Sequence, residues 1–102
     1  MSDDATYWSS ASWQVTEGKA DEFIARWTDF LNWTNETTDG VLSGRLVRDA
    51  GDPHHFLSFG SWRDADAVDA WRADPQFAVH FGACRAVCED VRAASYEVVV
   101  SG

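Results

Sequence analysis

Positive charge is what this chain has least of. Seven arginines and a single lysine, Lys19, stand against twelve aspartates and five glutamates, for a formal net charge of −9 over 102 residues. Nucleic acids and anionic membrane surfaces are recognised by basic patches, so neither is an expected partner. Cysteine is scarce as well: Cys84 and Cys88 lie four apart in one amphipathic stretch, which offers no disulfide framework. Proline occurs twice, at Pro53 and Pro75, and both positions read as punctuation between elements. No apolar run approaches membrane-spanning length. The opening Met-Ser-Asp-Asp lacks the basic-then-apolar layout of a signal peptide. Together these absences lead us to expect a cytoplasmic protein with no membrane contact.

What is abundant is aromatic. Rings make up 14% of the residues, with six Trp and six Phe, and each buries a large apolar area, so a short chain can build a core without staples. Hydrophobic residues at 45% and charged residues at 25% are the balance of a globular protein. The length suits one domain, residues 1–102, and leaves little room for a second.

The elements follow from periodicity. Trp8 to Val15 alternates as a modest strand and ends at the turn Thr16-Glu17-Gly18. From Lys19, the residues Ala20, Phe23, Ile24, Trp27, Phe30, Leu31 and Thr34 recur at helical steps, with Asp21 and Glu22 in the first turn, until Asp39-Gly40 ends the element. Val41–Arg48 and His55–Trp62 flank a loop bearing Gly51 and Pro53 and read as a β-hairpin. Asp64 caps a short helix through Trp71, and Asp74-Pro75 opens another. The stripe Phe77, Phe81, Cys84, Cys88 and Val91 continues that helix, and Tyr96 to Val100 is expected to be the last strand. The order is β-α-β-β-α-β, an α+β ferredoxin-like fold with helices on one face of a four-stranded antiparallel sheet. Leu57 and Phe59 on the third strand point away from Phe56 and Trp62, and Val98, Val99 and Val100 are apolar on both faces. A second copy packed sheet to sheet would cover that face, so we expect a homodimer.

The stretch Asp52-Pro-His-His-Phe-Leu-Ser-Phe-Gly-Ser-Trp62, followed by Arg-Asp-Ala-Asp-Ala-Val-Asp-Ala-Trp71, resembles the antibiotic biosynthesis monooxygenase family, as does the helix run Glu17 to Trp27. The likeness covers roughly residues 8 to 100. It implies a dimeric α/β barrel with a pocket in each subunit for a flat aromatic substrate, an anthrone-like polyketide or a quinol, oxidised by molecular oxygen with no metal and no other cofactor. An electron-rich phenol suits such chemistry, because its ionised form can itself pass an electron to oxygen. The protein then has to bind the rings, stabilise the anion and exclude water. By resemblance, Trp62 falls on the Trp that donates a hydrogen bond into the pocket of anthrone oxygenases. Ser58 stands where they carry Asn, and Val68 where they carry Tyr. A haem-degrading branch of the same family has an Asn at the position of Ala11 and its haem-ligating His at the position of Phe81, one residue after His80.

The candidate site is therefore Trp62 and His80 as catalytic groups, with Ser58, Trp27, Trp71 and Phe81 around the substrate. Trp62, Trp27 and Trp71 also suit plain core positions. Ser58 is small enough to make room for a ligand or for a neighbour. Histidine as a residue type changes charge near neutral pH, so His80 could serve as acid, base or anion partner. His80, Cys84 and Cys88 recur every four residues, but a zinc site draws four ligands from separated segments, so no metal is expected. His54 and His55 read as solvated loop residues. Arg45 and Arg48 alternate with apolar residues, within reach of a phenolate or of surface acids. The rival class is a ligand-binding dimer without catalysis.

Overall fold

In the computed structural model, which describes residues 6–102, the central strand is β1 (Tyr7–Val15). Its Ser9, Ala11, Trp13 and Val15 are buried under the helices, while the residues between them face the other side. Helix α1 (Ala20–Thr37) lays Phe23, Trp27, Phe30 and Thr34 on that face. Strands β2 (Val41–Arg48) and β3 (His55–Trp62) form the expected hairpin. Helices α2 (Ala65–Ala73) and α3 (Pro75–Arg85) are separated at Asp74. Each starts on an aspartate cap: Asp64 accepts the Ala67 N–H at 2.9 Å, and Asp74 accepts the Gln76 N–H at 2.8 Å. Strand β4 (Cys88–Glu97) completes an antiparallel sheet of order β2-β3-β1-β4, the ferredoxin-like arrangement.

The last third of the chain corrects the sequence reading. The helical stripe ends at Arg85; Ala86 N–H closes back on Gly82 O at 2.9 Å, and Thr16 N–H binds Val87 O at 3.0 Å. Cys88 then pairs with Val15, and Val91 with Trp13. The spacing of Cys84, Cys88 and Val91 is helical by coincidence, because β1 needs a ladder partner along its second edge and only this segment reaches it. Val98, Val99 and Val100 lie beyond β4, and Val99 and Val100 are exposed. They carry nothing of the case for a two-sided apolar sheet. That case moves to Leu57, Phe59 and Val47, joined on the same face by Trp8 and Tyr96, which sit opposite one another across β1 and β4.

The core is an aromatic net. Trp13 meets Phe23 and Phe81 at centroid distances of 5.2 and 5.1 Å, and Phe30 stacks on Trp71 at 5.6 Å. Trp62 meets Trp71 at 4.7 Å and closes a second cluster with Ala67 and Val68. Such tilted and stacked pairs contribute beyond their area burial.

Candidate functional site

Between the sheet and helix α1 a small cavity of about 50 Å³ remains at the β2–β3 end. Its floor is a cross-strand pair of glycines, Gly44 opposite Gly60. A Cβ on Gly60 would come within 2.7 Å of Ser9 Oγ, and one on Gly44 within 2.6 Å of Leu31 Cδ1, so the missing side chains make room for the Ser9–Trp62 pair and for Leu31. Trp27, Phe30, Trp62 and Trp71 are its walls, and Ser9, Ser58, Thr34 and Ser43 supply hydroxyls, the last of them paired with Ser61. Among the described residues no ionisable side chain lines it.

Three of these hydroxyls hold indoles in place. Trp62 Nε1 donates to Ser9 Oγ at 2.9 Å, Trp13 Nε1 to Ser58 Oγ at 3.0 Å, and Trp71 Nε1 to Thr34 Oγ1 at 3.0 Å. A buried indole N–H without an acceptor is costly, and the sequence places a hydroxyl for each of these three.

Outside the cavity, between α1 and β2, runs an open cleft of about 470 Å³ lined by Ile24, Thr28, Leu46, Phe56, Arg45 and Arg48. Trp27, Leu31 and Gly44 line both spaces, so the two adjoin one another, with the Leu31 side chain seated on Gly44. The inner chamber has room for no more than a few water-sized groups, whereas the outer cleft has the dimensions of a small-molecule site. Among the described residues neither Arg45 nor Arg48 enters an ion pair, and the Arg48 guanidinium lies 4.8 Å from the centre of the Phe56 ring.

Four of the six site residues read from the sequence come together here: Trp62, Ser58, Trp27 and Trp71 all line the inner cavity. His80 and Phe81 do not. His80 stacks on Trp33 at 5.1 Å and on Phe30 at 6.1 Å, on the far side of the Phe30 ring system. Phe81 packs on Trp13 and Phe77. Val68 is buried beside Trp62 and adds no polar group. Ser9 and Thr34 were not singled out from the sequence. Their signal was weak, a serine inside a strand and a threonine on a helix stripe, and only the fold pairs them with tryptophans far along the chain.

His55 is also more than a loop residue. Its Nε2 lies 2.8 Å from Ser12 Oγ and its Nδ1 2.9 Å from Asp49 Oδ2, and this bond holds the Asp49 carboxyl below its ordinary 3.8. The order Ser–His–Asp matches a nucleophile relay, but Ser12 lies on the sheet face opposite the cavity. It sits on a strand whose backbone N–H groups are tied into ladders on both sides, which leaves no pair of donors for a developing oxyanion. The chain gives it a structural task, pinning the β2–β3 hairpin to β1.

Cys84 and Cys88 do not share a helix: Cys84 is fully buried on α3 and Cys88 opens β4, its Sγ 3.4 Å from Cys84 O. Burial pushes the Cys84 thiol up to about 12 and the Cys88 thiol up to about 11. Among the described residues no group of three or more His, Cys, Asp or Glu is placed to hold a metal ion.

The model of the family described as antibiotic biosynthesis monooxygenase matches residues 7–83. Among solved structures, SnoaB from Streptomyces nogalater, a cofactor-independent oxygenase, superposes with a TM-score of 0.81 at 18% identity, over 95% of this chain and 97% of that one. A provisionally assigned antibiotic biosynthesis monooxygenase from Deinococcus radiodurans gives 0.81 at 20% identity, over 93% and 94%. A conserved protein from Methanosarcina mazei gives 0.79 at 16% identity, over 91% and 92%. No curated protein matches significantly. At these identities the structural likenesses speak for the fold alone.

Proposed function

The chain belongs to the antibiotic biosynthesis monooxygenase family, and from that premise we propose that it is a cofactor-independent oxygenase acting on an aromatic polyketide of anthrone type, or on a quinol. The observation that carries this reading is the tryptophan-walled cavity under Trp62, adjoining a cleft wide enough for fused rings. The rings lie in the cleft against Trp27 and Phe56, and the reacting end enters the inner chamber that Trp62 and Trp71 wall. The ionised substrate reduces dioxygen itself. For an anthrone, the methylene carbon then takes one oxygen atom and becomes a carbonyl, and the second oxygen leaves as water. The protein's part is to hold the rings, favour the ionised form and keep bulk water away.

The working unit in this proposal is a single-domain chain acting as a cytoplasmic homodimer, joined through the sheet face that carries Leu57, Phe59, Trp8 and Tyr96. Among the described residues no helix is long and apolar enough to cross a membrane.

One observation favours a second reading, a binding dimer without catalysis. With His80 stacked on Trp33 and no ionisable side chain on the inner cavity, no general base stands at the site. The residues do not fit the haem-degrading alternative: no histidine lines either space, and Phe81 is committed to Trp13.

Oxygen uptake with 1,8-dihydroxyanthrone in metal-free buffer separates the two. Catalysed uptake in the wild type, lowered about tenfold or more by Trp62→Phe while the thermal transition moves little, is the expected result. Binding of the anthrone with no uptake above the protein-free rate would establish the non-catalytic reading instead.

A further inference from the structure

Of the four hydroxyl side chains on the inner cavity, Ser43 pairs with Ser61 and the other three each accept from an indole. A tryptophan nitrogen only donates, so Ser9 Oγ, Ser58 Oγ and Thr34 Oγ1 must be the acceptors, and each hydroxyl proton is left to be donated elsewhere. Among the described residues none of the three donates to a protein acceptor. All three are more than nine-tenths buried, with exposures of 6% for Ser9, 8% for Ser58 and 5% for Thr34. The one space that all three line is the inner cavity.

We propose that Ser9, Ser58 and Thr34 form an oxyanion site, three O–H donors oriented by Trp62, Trp13 and Trp71, which takes the ionised oxygen of a phenol or enol. The proposal rests on the oxygenase reading for the identity of the ring system but not for the anion preference itself. Four features favour a negative oxygen. The three hydroxyls line a cavity whose other side chains, Ser43 apart, are aromatic or apolar, and there a hydrogen bond to a charge is stronger than in water. Among the described residues no carboxylate lines the cavity to repel an anion. Arg45 and Arg48, without acidic partners among the described residues, flank the outer cleft through which the ligand enters. The volume of about 50 Å³ suits an oxygen and the atoms next to it, with the ring left in the cleft.

This assignment gives Trp62 a different task from direct donation into the pocket. Its N–H is spent on Ser9, and Ser9 carries the donor onward, so Trp62 is a positioning residue. Gly60 belongs to the same device, because a Cβ there would come within 2.7 Å of Ser9 Oγ and 3.0 Å of Trp62 Nε1.

The test uses 4-nitrophenol, whose anion has its own absorbance band, with 4-nitroanisole as the form that cannot ionise. At saturating wild-type protein the phenol should titrate about one pH unit lower than in buffer, a roughly tenfold preference for the anion, with its proton released to the buffer. Ser9→Ala and the shape-conserving Thr34→Val should each remove a severalfold part of that preference while 4-nitroanisole binds as before. Trp62→Phe keeps the Ser9 hydroxyl but lets it rotate, so adding Trp62→Phe to Ser9→Ala should change nothing more. Additive losses would show that Trp62 reaches the ligand itself and would overturn the relay. Should Ser9→Ala fail to fold, the wild-type titration and Thr34→Val still decide. Binding with an unshifted titration would overturn the oxyanion site and leave the oxygenase reading standing. No binding of either probe would remove both.

Discussion

A glycine decides more at this site than any side chain. Gly60 stands opposite Gly44 at the base of the cavity, and the Ser9–Trp62 hydrogen bond passes through the space its side chain would fill. Gly60→Ala is therefore expected to break that bond, leave a buried indole N–H without its partner and close part of the inner chamber. The cost to stability should be about 1–3 kcal/mol, from overpacking and an unsatisfied donor together. Chemical denaturation checks the loss, and anthrone binding should fall with it. An alanine variant that binds and unfolds as the wild type does would mean that neither the chamber nor the bond matters. Gly44→Ala is milder in kind, since its Cβ would press on the flexible end of Leu31.

At the scale of elements, the junction between α3 and β4 carries a pH signature. Cys84 is buried at the end of α3, and desolvation raises its thiol from the ordinary 9.0 to about 12, with Cys88 following to about 11. A thiol whose folded value is raised keeps its proton where the unfolded chain has already lost it. Above about pH 9 the unfolded state thus binds fewer protons, and stability must fall as pH rises toward the folded values. Urea midpoints should show this decline in alkaline buffer, and Cys84→Ala should flatten it even though the variant is less stable overall. The same burial predicts that both thiols react slowly with a disulfide reagent at neutral pH until urea unfolds the chain. Rapid labelling of Cys84 in the native protein would contradict its place in the core.

For the whole molecule, the exposed sheet face decides the assembly. Leu57, Phe59, Val47, Trp8 and Tyr96 stand on the side that no helix of this chain covers, and Tyr96 is 56% exposed and Val47 43%. A contiguous apolar surface on a small sheet marks an interaction site. Light scattering at micromolar concentration should give close to twice the 11.4 kDa of one chain. Charge placed on that face, as in Phe59→Glu, should shift the species toward the monomer, whereas truncation after Val98 should not, because Val99 and Val100 lie outside the sheet. A wild-type protein that stays at one chain's mass under these conditions would refute the sheet-to-sheet pairing.

The amino-acid sequence by itself determined the element order, the hairpin, the aspartate caps at Asp64 and Asp74 and the tryptophans of the site, because those depend on period, turn chemistry and local hydrogen bonds. Trp27 and Trp71 were legible as stripe residues and Trp62 as a strand end, and the fold carries all three to one cavity. Tertiary structure alone decided where α3 stops. The Cys84, Cys88 and Val91 spacing satisfies a helix, and the free edge of β1 outweighs it by offering a ladder of backbone bonds. It alone removed His80 and Phe81 from the cavity, since a position on a helix fixes a face but not what that face meets. It also brought Ser9, Ser58 and Thr34 to their indoles. Those pairs join residues 53, 45 and 37 positions apart, and a hydroxyl's partner at such distances is set by packing, which no local pattern records.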